Sequence, residues 1–180
     1  MTLSLEITIS DIISCVSVLV VIIGGWFAYY QWRKNIFLKR ADYINELTEK
    51  IRTDEFIKST IYDIEYNTPW YSKEFHHGGE NELRIDKTLS YFSYICYLKK
   101  QRIITNREFH FFKYEIMRIL VNPQIQDYFY NLYHFANKFN VPHTFKYLFE
   151  YGEKNKFFDD DFYDRNSYQT NRKYHRNINF

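Results

Sequence analysis

The chain has 180 residues, with 24 Lys and Arg against 22 Asp and Glu, for a formal net charge of +2. That balance excludes the one-sided field that drives nucleic-acid association, so no nucleic-acid partner is expected. The 18 Tyr and 17 Phe would suit base stacking, but plentiful Ile, Asn and Lys beside scarce Ala, Gly and Pro is what an AT-rich coding sequence yields, and the rings read as core.

Residues 1–11 read as a short extracytoplasmic N-terminus whose only charges are Glu6 and Asp11. From Ile12 to Trp32 there is no Asp, Glu, Lys, Arg or His, about the ~20 residues a helix needs to cross a hydrocarbon core. Trp26, Tyr29, Tyr30 and Trp32 close this stretch as an aromatic interface belt, and Arg33, Lys34, Lys39 and Arg40 follow at once. Basic flanks stay cytoplasmic, so the expected topology is single-pass, N-terminus outside, in a bacterial inner membrane. A cleaved signal peptide is disfavoured by the missing basic n-region, the long apolar run and the lack of a small-x-small cleavage site. The four cations can each add about 1 kcal/mol of attraction to an anionic leaflet, although setting topology is sufficient reason for them. Gly24-Gly25 lacks the small-xxx-small spacing of packed membrane helices.

Residues 33–152 read as a juxtamembrane stalk and cytoplasmic helical domain. Ile36, Tyr43, Ile44, Leu47 and Ile51 recur at helical spacing, and no Gly or Pro interrupts Trp26 to Arg52. Asp54 is placed to cap a helix striped by Ile57, Ile61 and Ile64. Asn67 to Glu80 reads as a loop opened by Thr68-Pro69 and closed by His76-His77-Gly78-Gly79. Its Trp70, Tyr71, His76 and His77 form a candidate partner-binding loop, the alternative being a loop folded back over the core.

A helix is expected over Leu83 to Lys100, burying Ile85, Leu89, Phe92 and Cys96, with Lys99, Lys100 and Arg102 complementing its negative end. Thr105-Asn106-Arg107-Glu108 fits a capping box, with Ile104 and Phe109 at hydrophobic-staple positions. The helix it opens buries Phe112, Ile116, Ile119 and Leu120. Asn122-Pro123 starts the next, striped by Ile125, Tyr128, Phe129, Leu132, Phe135 and Phe139. Pro142 opens one further turn or two through Phe145, Leu148 and Phe149, with Gly152 as its stop. The Asp- and Asn-rich residues 153–180 read as a flexible tail, the alternatives being local docking of Phe157, Phe158 and Phe162 and contact of Arg172, Lys173 and Arg176 with lipid or a partner. The fold class is therefore all-α: a single transmembrane helix at residues 12–32 continuing into an antiparallel helical bundle with a polar tail.

Chemistry-bearing motifs are few. Among six histidines, His76-His77 are adjacent, and His110, His134 and His143 lie on or between different helices. No zinc spacing occurs, so no metal site is expected. Cys15 in the span and Cys96 in the domain do not bridge within one chain. Asp63 and Glu65 face different ways on a helix, and Asp159-Asp160-Asp161 lacks the ligand spacing and glycine of a calcium loop. No glycine-rich phosphate loop or nucleophile elbow occurs, so no catalytic residue and no cofactor is expected. Two Arg-x-x-His pairs, Arg107 with His110 and Arg172 with His175, resemble the Arg/His chemistry of helical ribonucleases of the HEPN type, which space these residues further apart.

The order of signals carries a broader resemblance. It runs from Lys39-Arg40-Ala41-Asp42-Tyr43-Ile44-Asn45-Glu46-Leu47 after the single span, through Asp86-Lys87-Thr88-Leu89-Ser90-Tyr91-Phe92 and Ile103-Ile104, to Val121-Asn122-Pro123-Gln124-Ile125-Gln126-Asp127-Tyr128-Phe129. Over roughly residues 10 to 152 the chain resembles a bacterial family of short, uncharacterised proteins with one N-terminal membrane helix and a cytoplasmic helical domain. The resemblance implies the architecture and no reaction. The expected function is a non-enzymatic interaction or scaffold module whose partners are the lipid bilayer and either another protein or a second copy. Alternatives are a membrane effector of a bacterial defence or toxin-like system, and a membrane-tethered hydrolase or nuclease using some of Arg107, Glu108, His110 and His134.

Overall fold

The computed structural model describes residues 9–178. Residues 1–8, the greater part of the expected N-terminal segment and including Glu6, and residues 179–180 of the expected tail lie outside the described residues. Among the described residues seven α-helices occur in the order α1 Ile9–Thr53, α2 Glu55–Glu65, α3 Glu80–Lys100, α4 Asn106–Val121, α5 Pro123–Phe139, α6 Lys146–Lys154 and α7 Ser167–Thr170, with two 3-10 turns at Lys73–His76 and Asp160–Phe162. No strand occurs among the described residues, and the all-α expectation holds. The chain divides into two compact units, Met1–Leu47 and Thr48–Phe180.

The first unit is helical throughout its described part. Every side chain from residue 9 to residue 39 is exposed, including Ile12, Val21, Ile23 and Trp26. Only Ile44 and Leu47 on α1 are buried.

In the second unit α3 is the central element, packing on α6 and α2 and, less extensively, on α4. Nine of its 21 residues are buried, all between Ile85 and Leu98. Ile85, Leu89, Phe92 and Ile95 are wholly buried. The polar residues are equally placed: the Thr88 hydroxyl donates 2.8 Å to the Arg84 carbonyl, inside the helix itself.

The start signals act as their chemistry dictates. Asp54 accepts from the amides of Phe56 at 3.1 Å and Ile57 at 3.3 Å, and pairs with Lys87 Nζ at 2.7 Å. Lys87 and these amides hold the Asp54 carboxyl below its ordinary value. The capping box is reciprocal: the Glu108 amide donates to Thr105 Oγ1 at 3.3 Å, and the Thr105 amide to Glu108 Oε2 at 2.6 Å. Asn122 accepts from Gln124 and Ile125, while its own Nδ2 donates 3.4 Å to the Ile64 carbonyl at the end of α2.

Three boundaries differ from the expectation. Helix α3 begins at Glu80 rather than Leu83, with Gly79 as its N-cap and Glu82 accepting the Gly78 amide at 2.6 Å. Helix α6 begins only at Lys146, after Phe145 adopts a left-handed backbone (φ 55°) that ends any turn opened by Pro142. Gly152 does not stop α6, which runs on to Lys154. Its lack of a side chain serves packing: a Cβ there would meet the Phe158 ring at 2.7 Å and Leu120 at 3.1 Å.

The flexible tail is the main correction. Residues 153–178 fold onto the bundle, with Phe158, Phe162, Ser167 and Tyr174 buried. Phe162 stacks on Phe158 at 4.4 Å and Tyr174 on Tyr130 at 4.5 Å. The backbone of this segment is held by α5: Gln126 donates to the Phe157 carbonyl (3.0 Å), Tyr130 to Arg165 (2.7 Å), His134 to Phe162 (3.0 Å) and Asn131 to His175 (2.7 Å). Composition alone is a poor guide here, since three buried rings, Phe158, Phe162 and Tyr174, supply apolar area that the Asp and Asn residues do not.

Gly152→Ala will destabilise the bundle by about 1–3 kcal/mol, read as a lowered denaturation midpoint. Limited proteolysis will spare residues 153–178 until the bundle itself unfolds; early cleavage there would contradict the docked segment.

Candidate functional site

Three regions carry the chemistry. The first is the end of the apolar run. Trp26, Tyr29, Tyr30, Trp32, Arg33, Lys34 and Lys39 are exposed and Arg40 is half-buried. At 100° per residue the four aromatics fall within an arc of about 160°, so the girdle they form covers one side of the helix, with the Tyr29 and Trp32 rings 6.0 Å apart. Among the described residues α1 is the one helix long and apolar enough to cross a membrane.

The second is the candidate partner loop, and it turns inward. Trp70 is buried, Tyr71 and His76 are half-buried, and only His77 is exposed. Gln124, in the first turn of α5, pins the loop by accepting the Trp70 and Tyr71 amides at 2.7 and 3.1 Å and donating to the Thr68 carbonyl at 2.8 Å. Trp70, Phe75 and Tyr128 then pack ring against ring at 5.2 to 6.1 Å. The exposed-loop reading is thus replaced by the folded-back alternative for Trp70, Tyr71 and His76.

Behind that loop lies a chain of titratable groups that the sequence does not announce. Tyr71 Oη lies 3.2 Å from His76 Nε2, and His76 lies 3.8 Å from Glu82. The Tyr128 hydroxyl donates to Asp86 at 2.8 Å. Asp127 accepts the His175 amide at 2.7 Å and faces His175 Nδ1 at 3.3 Å. Burial raises the Asp127 carboxyl to about 6, opposed by the hydrogen bonds and charge of His175. Burial likewise raises Asp86 and lowers His76, against the pull of Glu82. Tyr128 and Asp86 satisfy one another, as do Asp127 and the His175 amide. They fasten the loop and the C-terminal segment to α5.

The third is a cleft of about 790 Å³ between the end of α3, the start of α4 and the exposed side of α6. Lys99, Lys100, Arg102 and Lys154 line it, facing a single carboxylate, Glu150. Lys100 pairs with Glu150 at 2.7 Å. Lys99, Arg102 and Lys154 have no carboxylate partner among the described residues. Lys99 Nζ lies 3.9 Å from the Phe109 ring centre and 4.9 Å from that of Tyr151. Burial, with Lys113 and Lys154 adding repulsion, holds its ammonium below the ordinary lysine value. Tyr147 and Tyr151, one helical turn apart on α6, supply the aromatic wall. Cys96 lines the cleft too, but burial pushes its thiol up to about 12, away from nucleophilic use. In the sequence Lys99, Lys100 and Arg102 read as dipole complements; only the arrival of α6 beside them makes a site.

The remaining candidates do not converge. His110 is exposed on α4, His134 is spent on the Phe162 carbonyl, and His143 stacks on Tyr133 at 5.3 Å. No metal-holding group of His, Cys, Asp or Glu occurs among the described residues. Glu108 belongs to the capping box, Asp63 pairs with Arg84, and Glu65 with Arg118 at 3.2 Å. Asp159 caps the second 3-10 turn and binds Lys173 at 2.6 Å and Tyr174 at 2.7 Å, which gives it a structural role rather than a calcium site. Compared with family models, curated proteins and solved structures, the chain matches none.

Asp127 makes stability depend on pH. The folded chain keeps the Asp127 proton to about pH 6, whereas an unfolded aspartate releases it near 3.8. Between those values the folded state binds more protons, so this group's contribution falls as pH rises. In melting curves of the detergent-solubilised chain, the Asp127→Asn variant will gain on the native protein from pH 4 to pH 7; a constant difference would contradict the assignment.

Proposed function

We propose that the chain is a single-pass anchor-and-module protein: α1 crosses the bacterial inner membrane with its N-terminus outside, and the helical bundle is a cytoplasmic binding module for a protein partner or a second copy. The observation that carries this reading is the wholly exposed apolar stretch of α1, closed by an aromatic girdle and then by Arg33, Lys34, Lys39 and Arg40. A core helix would bury its apolar side chains, and so long an exposed run in water is strongly disfavoured. Lipid satisfies it, the girdle suits the headgroup layer, and the cations favour the cytoplasmic side.

A binding role rather than catalysis is supported by the fate of the candidate reactive groups. Arg107 and Glu108 lie in the capped first turn of α4, His110 points to solvent and His134 is held by backbone. A nuclease built from these four would need them around one cavity.

Sodium carbonate at pH 11 will leave the chain in the membrane pellet, and a C-terminal reporter active only in the cytoplasm will be bright. Release by carbonate, or activity only of a periplasmic reporter, would overturn the anchor or its orientation respectively. Crosslinking in native membranes will recover a dimer or a discrete heterologous adduct.

A further inference from the structure

We propose that the cleft between α3, α4 and α6 binds a nucleoside polyphosphate, with Lys99, Lys100, Arg102 and Lys154 holding the phosphates and the Tyr147 and Tyr151 rings receiving the base. This goes beyond the anchored-module reading and does not rest on it.

Charge is the first argument. A chain with a net charge of only +2 gathers four cations around one cleft with one carboxylate to offset them. Lys99 is the most telling. It is half-buried between two rings, with Lys154 close enough to disfavour its charge. Like charges brought together in a partly desolvated concavity are repulsive by themselves, and a polyanion removes that repulsion. Arg102 adds a planar fork suited to bidentate phosphate contact, and it stands at a left-handed backbone position (φ 58°) that turns the chain between α3 and α4.

Size and shape are the second. A volume of about 790 Å³ lies within the range of small-molecule sites and exceeds what a lone phosphate would fill. The wall beyond the cations is aromatic rather than aliphatic. Tyr147 and Tyr151 share one face of α6, and Lys100 and Lys99 already lie against them at 5.4 and 4.9 Å. A ligand with a π-face at one end and negative charge at the other matches both halves. The capping box occupies the Thr105 and Glu108 amides at the start of α4; the phosphates are held by side chains.

The test is calorimetric titration of the full chain, reconstituted in phosphatidylcholine nanodiscs, with ATP, tripolyphosphate and adenosine as separate probes. ATP will bind with micromolar to submillimolar affinity, tripolyphosphate about tenfold more weakly for want of the stacked base, and adenosine not measurably. Lys99→Gln with Arg102→Asn and Lys154→Gln will weaken ATP at least tenfold at an unchanged melting temperature. Should that variant unfold, the exposed Lys154→Gln change alone will weaken ATP severalfold. Tyr147→Leu will weaken ATP but not tripolyphosphate, and Lys138→Gln, outside the cleft, will alter neither. Absence of ATP binding at millimolar concentration, or affinity indifferent to the cleft variants, would overturn the site. Tripolyphosphate binding as tightly as ATP would overturn the nucleoside and leave no role for the rings.

Discussion

The bundle depends on the polar face of α5. Gln126, Asp127, Tyr130, Asn131 and His134 are all buried, an arrangement that would be ruinous without partners. Each finds its partner in the segment from Phe157 to Asn177, mostly in backbone carbonyls and amides that no regular helix would leave available. Irregular chain and buried polar side chains thus solve each other's problem. The aromatic stack of Phe149, Phe158, Phe162, Tyr130 and Tyr174 seals the arrangement from the apolar side.

This mutual dependence explains what was legible in the sequence and what was not. Capping residues declare themselves locally, so Asp54, Thr105 and Asn122 were readable, and the α4 stripe followed from periodicity; the α5 stripe held only through Phe129, since Leu132 and Phe135 are half-buried and Phe139 is exposed. The tail was not, because its order comes from groups on α5 some thirty to fifty residues away: Tyr130 with Arg165, Asn131 with Asn177. Within α5, Asp127, Asn131 and His134 look like a solvated face in any one-helix view. Gly152 misled for a related reason, since a glycine near a helix end reads as punctuation when its neighbour across the core, Phe158, is unknown.

The candidate site shows the same division between local and assembled information. The girdle and basic flank of α1 lie within fifteen consecutive residues, 26–40, and so could be read directly. The cleft combines residues 99–102 with 147–154, and its cations had an adequate local explanation at a helix C-terminus. Trp70 and Tyr71 presented the converse case: a loop rich in rings suggested outward contact, whereas Gln124 and Tyr128 supply the inward one.

Because the acceptors for α5 come from later in the chain, the order of synthesis matters. When α5 has left the ribosome, its interior amides, phenol and carboxylate still face water or unsuitable neighbours, and only the arrival of residues up to His175 relieves them. The apolar stretch of α1 has emerged long before. The nascent molecule therefore passes through an interval in which its N-terminal helix is ready for lipid while its bundle is unfinished, a window for chaperone engagement or quality-control proteolysis.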